Sequence, residues 1–478
     1  MTYLEKLFGT LAIDPHRIAL VDADHGNDWT AAEFIALTAR LAEALRRSTG
    51  MTKGSVVAIV APATVEGLAV RYATGLLGGV TVYCPDANTP QRLTVFLQRI
   101  DADLLVVFPE TAEFGPTTVP TVSVGHVAGV ATDLLTVEVG TPTLTHTPVE
   151  STDVCALVAT GGTTGVSKAS RRDWAGYTTM ADLGATPGRR QLIVTPLAYI
   201  AQIIADGVLI GGGTVLLHRQ FEANQVLRSL GRHRITHMTL VEPHLVELVD
   251  SAALDSADLS TVVAINHIGA DAAASLRARL LARLGRAILV NPYGASEIGM
   301  VSALAAPDYS LAHPELLSAS GVPLPGVQVR IADGVVQVRS SAQAQGYSVA
   351  PPVSGFGDDG WFATGDLGEL DAQGYLHIRG RSEDLREVCD RPVVPLDLQE
   401  AFCALPGVRY AVAVPTDDGF GLALVVDPAV VVDDLVDIVR TTAGAHLVPV
   451  KTVVLERIPR TEQGKPDRAA LTRLLFGG

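Results

Sequence analysis

Charge is scarce in this chain. Of 478 residues only 18% are Asp, Glu, Lys or Arg, and 51 acids against 36 Lys and Arg leave a formal net charge of -15. An acidic balance excludes a protein whose main task is to coat nucleic acid, and it repels an anionic membrane surface. Cysteine is scarce too. Cys84, Cys155, Cys389 and Cys403 are dispersed, with no C-x-x-C pair, which fits neither a disulfide framework nor a zinc site and predicts a reducing, cytoplasmic setting. Long apolar runs are missing: Val56 to Ala61 and Val208 to Ile210 stop at Pro62 and Gly211, well short of the roughly 18 residues a membrane span needs. The opening Met1-Thr2-Tyr3-Leu4-Glu5-Lys6 has no basic region leading into an apolar core, so no secretory signal is expected. No repeat or low-complexity tract interrupts the chain.

What is present is apolar mass. Hydrophobic residues make up 48% of the chain, enough for a large buried interior, and the length predicts about two to four domains. Short β-branched runs alternate with Ala/Leu-rich helical patterns. Ala31 to Arg47 reads as an amphipathic helix, Val56 to Val60 as a buried strand, Val65 to Leu77 as a helix, Gly79 to Tyr83 as a strand, Pro90 to Ile100 as a helix and Leu104 to Phe108 as a strand. Leu192–Val194, Gly213–Leu217, Val262–Ile265 and Ala287–Val290 continue the series. Such alternation predicts a doubly wound α/β architecture. Near Gly321 the texture changes to Pro/Gly-punctuated β segments, including Val327–Ile331 and Val335–Arg339, and after Arg381 to a compact α+β unit. The expected organisation is a large body over residues 1–381, made of α/β subdomains plus a β-rich segment, and a small mobile lid over 382–478.

One loop carries concentrated chemistry. From Val158 to Lys168 an apolar run feeds Thr160, Gly161, Gly162, Thr163, Thr164, Gly165, Val166, Ser167 and Lys168. Glycines let backbone N–H groups approach an anion, hydroxyls add donors, and the lysine adds a compact positive charge. Turn chemistry alone also selects such glycines. It is not a Walker A loop, which places Gly directly before the lysine; here Ser167 does.

Four further segments follow in order: Asn291-Pro292-Tyr293-Gly294-Ala295-Ser296-Glu297, Gly360-Trp361-Phe362-Ala363-Thr364-Gly365-Asp366, Ile378-Arg379-Gly380-Arg381-Ser382-Glu383-Asp384, and Pro459-Arg460-Thr461-Glu462-Gln463-Gly464-Lys465. Singly, each has an ordinary alternative. Glu297 could complement a helix dipole, Asp366 could cap a turn, Tyr293 could be core and Lys465 a solvated surface charge. Together with the loop they resemble the adenylate-forming superfamily of acyl-CoA synthetases, peptide-synthetase adenylation domains and luciferases, over essentially the whole chain. The resemblance implies ATP and Mg²⁺ as cofactors. It implies that Thr160 to Lys168 hold the triphosphate, that Ser296 donates to phosphate and Glu297 ligates Mg²⁺, that Tyr293 stacks on adenine with Gly294 among the cofactor-binding residues, that Asp366 and Arg381 contact the ribose, and that Lys465 bridges carboxylate and α-phosphate.

The departures from the family pattern bear on specificity. Tyr199, in Pro196-Leu197-Ala198-Tyr199, stands where the family has a gating His, and no acidic residue there would pair with an α-amino group. Gly269, Ala270, Gly294 and Ala295 are small, Ile298 and Met300 are apolar lining candidates, and His267 is either a substrate contact or a core histidine. An aryl or hydrophobic carboxylic acid is the expected substrate. At the hinge stands Glu383, and the following Glu387-Val388-Cys389-Asp390 has two acids and no glycine. Side chains there would crowd pantetheine and repel its phosphates. An amine acceptor, as in amide bond synthetases, is therefore expected over CoA or a carrier-protein thiol; a nucleotide-binding protein without turnover is the remaining alternative.

Overall fold

The structure is a computed structural model describing residues 1–84, 89–160, 168–269, 272–348, 355–357 and 359–477. Two large sheets organise the body. A nine-stranded sheet runs in the order Val322–Pro323, Gly299–Leu304, Leu289–Ala295, Ala264–Ile268, His237–Val241, Arg190–Ile193, Thr214–Leu217, Ile18–Asp22, Asn27–Thr30. Its six central strands are parallel, and antiparallel partners close both ends. A six-stranded sheet orders Thr121–Ser123, Leu104–Val107, Val56–Ile59, Val80–Tyr83, Val154–Thr160 and Lys168–Asp173. Only its last pairing, between the strands flanking the glycine-rich loop, is antiparallel.

Local sequence explains most element ends. The helix Ala31–Ser48 starts at a capping box, with Thr30 accepting from the Glu33 amide and Glu33 reaching back to Thr30, and it ends with Arg46 and Arg47 against the negative pole of the dipole. The helix Val65–Leu76 lacks a polar face; Val65 and every residue from Gly67 to Leu76 are buried. It contributes Arg71, which has no exposure yet pairs with the equally buried Asp206 at 2.8 Å. Tyr72 and Tyr177 donate to the same carboxylate and Tyr3 accepts from Arg71. So buried an ion pair is tolerable because the Asp206 oxygens and tyrosine hydroxyls satisfy both terminal nitrogens of Arg71, though not its Nε, and removing one partner would cost about 3–5 kcal/mol. Asp206 belongs to the helix Ile200–Ile210, whose first turn follows Tyr199.

A third sheet, antiparallel, follows in the order Gln328–Ala332, Val335–Arg339, Phe362–Leu370, Leu376–Arg381. Ile298 is fully buried in the core of this sheet with Val301, Val336, Val338 and Phe362, so it packs there rather than lining an acid pocket. The C-terminal domain begins with the hairpin Arg386–Val388 and Arg391–Val393, continues through the helix Pro395–Cys403, and centres on the sheet Val408–Thr416, Gly419–Val426, Lys451–Val454. One face of that sheet packs on its own helices through Leu398, Phe402, Leu422 and Leu435. Tyr410, Val412 and Val414 on the other join a core that also holds Leu245, Val246 and Val249 of the body. Polar contacts rim this junction: Arg279 bonds Asp250 and the Arg409 carbonyl, each at 2.6 Å, and the Ser275 amide meets Glu400.

The mixed α/β body with a small C-terminal domain matches the expected fold class. Several strands are displaced from their predicted bounds: Ala264–Ile268 starts two residues after Val262, and Leu289–Ala295 extends through the Tyr293 segment. The N-terminal strands Ile18–Asp22 and Asn27–Thr30 escaped sequence reading: the first pairs in parallel with Thr214–Leu217, nearly 200 residues away, and the second adds to the first as the sheet's edge strand. No disulfide joins Cys84, Cys155, Cys389 or Cys403, and no helix among the described residues is long and apolar enough to cross a membrane.

Candidate active site

Gly161, Gly162, Thr163, Thr164 and Gly165, with Val166 and Ser167, lie outside the described residues, as does Ala270. The strands on either side of the loop are described, and the second carries the chemistry. Alternation along Lys168–Asp173 puts Lys168, Ser170 and Arg172 on one face. Ser170 donates to the Ser296 carbonyl at 2.9 Å, and the buried Arg172 bonds that same oxygen and the Ala342 carbonyl. Burial pulls the Arg172 guanidinium down to about 10, with Glu297 the largest opposing influence; at neutral pH it stays a cation beside that carboxylate.

Tyr347 completes this unit. Residues 344–348 run alongside the same strand, with Ser348 N bonding Ala169 O at 2.8 Å, Arg171 N bonding Gly346 O at 2.8 Å, and Ala344 N bonding Glu297 O at 2.7 Å. This delivers the Tyr347 hydroxyl to Glu297 Oε1 at 2.9 Å, while Lys168 Nζ lies 5.5 Å from the ring centre. Burial and the Glu297 charge both raise the Tyr347 pKa, so it remains a donor. Sequence reasoning missed Tyr347, Ser170 and Arg172. The two-residue period of a strand beginning at Lys168 was the available signal for the last two; a tyrosine after Gly346 carried none.

A second group gathers around Asp366. Its Oδ1 accepts from Arg381 at 2.9 Å and its Oδ2 from the Tyr293 hydroxyl at 2.6 Å. Arg381 also donates to the Thr364 carbonyl at 3.0 Å, and Thr364 Oγ1 accepts from the Asp366 amide at 3.0 Å. Burial works against the Arg381 charge, but Asp366, with Glu383 and Tyr293, outweighs it and the pKa rises; burial, then Asp366, drives that of Tyr293 far up. A carboxylate has about four lone-pair sites, so Asp366 keeps acceptor capacity beyond these two bonds. Glu383 lies just beyond, 3.9 Å from Arg381.

The third group joins body and C-terminal domain. Residues 459–467 form a tight hairpin, closed by Thr461 N to Lys465 O, Gly464 N to Thr461 O and Asp467 N to Pro459 O, each at 2.8 Å. Lys465 packs on Gly269: a Cβ built there, where φ is +101°, would stand 3.0 Å from Lys465 Cε. The space left by this glycine therefore receives the lysine side chain. Gly294 is small for another reason, since a Cβ there would lie 2.3 Å from the Gly299 carbonyl oxygen across its own hairpin. Ala295 and Met300 are half-buried in that hairpin. His267 is fully buried, on the core side of its strand and under the influence of Arg277, and desolvation depresses its pKa to about 3. No described residue hydrogen-bonds either of its ring nitrogens.

These residues suit a magnesium-bound nucleotide. Among the described residues no group of three or more His, Cys, Asp or Glu side chains could cage a metal. Mg²⁺ in nucleotide enzymes is held by one or two carboxylates, with phosphate oxygens and water completing the shell. Glu297, oriented by Tyr347, offers one such carboxylate.

Residues 9–346 match the family model described as AMP-binding enzyme. The chain belongs to the AMP-binding enzyme family and is an AMP-forming acid ligase that uses ATP. Among curated relatives, it is 29% identical to a feruloyl-CoA synthase of an Amycolatopsis species, with 95% of each chain covered, and 25% identical to the 2-succinylbenzoate–CoA ligase of Bacillus subtilis, covering 95% of this chain and 94% of the relative. Among solved structures, the amide bond synthetase McbA from Marinactinospora thermotolerans superimposes with a TM-score of 0.84 at 27% identity, covering 98% of this chain and 99% of McbA.

Proposed function

We propose that the protein activates a hydrophobic or aryl carboxylic acid as its acyl-adenylate and passes the acyl group to an amine, forming an amide. The observation that carries the adenylation step is the seating of Lys465 against Gly269, on the body side of the domain junction. A carboxylate oxygen attacks the α-phosphorus of ATP and the bond to pyrophosphate breaks. Both reactants are anionic, so positive charge and donors must be fixed in place before they meet. Lys465 supplies a cation between carboxylate and α-phosphate, Lys168 and the loop before it neutralise the leaving pyrophosphate, and Asp366 with Arg381 anchors the ribose. Glu297 would hold Mg²⁺, which would supply further neutralisation of the phosphate charge.

In the second step an amine nitrogen attacks the acyl carbonyl, AMP leaves and the amine loses a proton. The amine reading is supported by the turn between Arg386–Val388 and Arg391–Val393. Cys389 and Asp390 both have positive φ, 51° and 57°, so two side chains stand on backbone that favours glycine. Transfer to CoA is the second reading, favoured by the CoA ligase names among the relatives. Incubation with ATP, Mg²⁺ and a panel of aryl and aliphatic acids, with an amine, with CoA and with neither, separates them by mass spectrometry. Amide as the main product supports the proposal; dominant acyl-CoA replaces it with the second reading.

A further inference from the structure

The lysine hairpin rests on a layered seat in the body. Phe221 and His244 stack face to face, 4.1 Å between centroids and 8° between planes. Both are buried, and His244 belongs to the helix Glu242–Asp250. On the hairpin, the Arg460 guanidinium lies 5.6 Å from the Phe221 centroid and forms an ion pair at 3.1 Å with Glu247, one turn along from His244. Gly464 meets the edge of the His244 ring. With φ at +81°, a Cβ built there would fall 2.4 Å from Cε1 and 2.5 Å from Nε2. The two arms of the hairpin thus grip different surfaces of one aromatic pair, and Lys465 follows Gly464 directly.

We infer that Phe221, His244 and Glu247 are positioning residues for acid activation: they receive Arg460 and Gly464 and so place Lys465 at Gly269. The inference rests on the adenylating role of Lys465. Its physical basis is geometric. A flexible lysine contributes to a transition state only if its backbone is held, and a displacement of about 1 Å costs on the order of a hundredfold in rate. The flat guanidinium matters as well as its charge, because it stacks on an aromatic face while ion-pairing at its edge.

The test uses the full-length protein as wild type, Phe221→Leu, Phe221→Tyr and Arg460→Gln. Hydrogen–deuterium exchange over residues 459–467 reads hairpin seating without turnover. Faster exchange is expected in Phe221→Leu and Arg460→Gln, with wild-type exchange in Phe221→Tyr, which keeps the stack. Unchanged exchange in the first two overturns the inference whether or not the enzyme turns over. The two half-reactions are then measured with ferulic acid as the first probe. Pyrophosphate release should fall roughly ten- to a hundredfold in kcat with KM for ATP nearly unchanged, while aminolysis of synthetic feruloyl-adenylate stays at the wild-type rate. Equal loss in both half-reactions would mean a structural role only. Absence of pyrophosphate release by wild type with every acid in the panel would instead count against the function reading, leaving exchange to judge the seat.

Discussion

Gln463 donates from Nε2 to the hydroxyl of Tyr199 across 2.5 Å, joining the tip of the lysine hairpin to the start of the helix Ile200–Ile210. Tyr199 is held there at φ 58° and ψ -133°. A non-glycine residue in such a sparsely populated region costs on the order of 1–3 kcal/mol. Asp206, about two turns along the same helix, is locked to Arg71 and holds that helix to the core. Tyr199 packs where two body cores meet, so its hydroxyl links the Lys465 hairpin of the C-terminal domain to both of them.

Tyr199→Phe keeps the ring and removes the link. Loss of one hydrogen bond, roughly 0.5–1.5 kcal/mol, should lower pyrophosphate release about two- to tenfold, and Gln463→Ala should lower it by a similar factor. The double variant should be no worse than either single one; additive losses in a mutant cycle would show that the two side chains act separately.

Lys465→Ala should abolish acid activation, with kcat for pyrophosphate release down at least about a hundredfold, while ATP binding by calorimetry stays close to wild type. Normal turnover would remove this lysine from the mechanism.

Tyr347→Phe deletes the hydroxyl that meets Glu297 at 2.9 Å but keeps the ring beside Lys168. The Mg²⁺ concentration for half-maximal rate should rise roughly tenfold, the scale typical of partners that orient a metal-binding carboxylate. Titration of rate, and of ATP affinity, against Mg²⁺ measures it. An unshifted midpoint would separate Tyr347 from metal binding.

Glycine at Cys389 and Asp390 suits their positive φ. Relief of strain is offset by a more flexible unfolded chain, so stability should change by no more than about 1 kcal/mol in denaturant titration. With CoA and an amine present together, the double variant should shift product toward acyl-CoA. A constant ratio would show that this hairpin does not choose the acceptor.

His267 makes stability depend on acidity. Its folded-state pKa is depressed from 6.5 to about 3, chiefly by burial and in smaller part by the Arg277 charge. Above pH 6.5 both folded and unfolded chains carry a neutral ring, and this group contributes no penalty. As pH falls from 6.5 toward 3, the unfolded chain takes up a proton that the folded one refuses, and stability is lost, by about 2 kcal/mol at pH 5. His267→Leu should flatten this acid limb in unfolding curves measured between pH 4 and 7.

The order of the motifs identified the chemistry, and β-branched runs alternating with amphipathic helices indicated the α/β body, because local periodicity and turn residues act over short stretches of chain. Residue type also pointed to Asp366, Arg381, Glu297 and Lys465 as candidates. Their partners were decided by tertiary structure. Asp366 meets Tyr293 across 73 positions and Gln463 meets Tyr199 across 264, separations over which no local pattern operates. What surrounds the small residues was decided in the same way. Gly269 and Gly294 look alike in sequence, yet one accommodates a lysine and the other its own hairpin. Ile298 became core and His267 went to the buried side of its strand. The chain by itself determined which chemical groups it owns; which of them touch was settled by long-range packing, where burial of apolar faces fixes the register of everything attached to them.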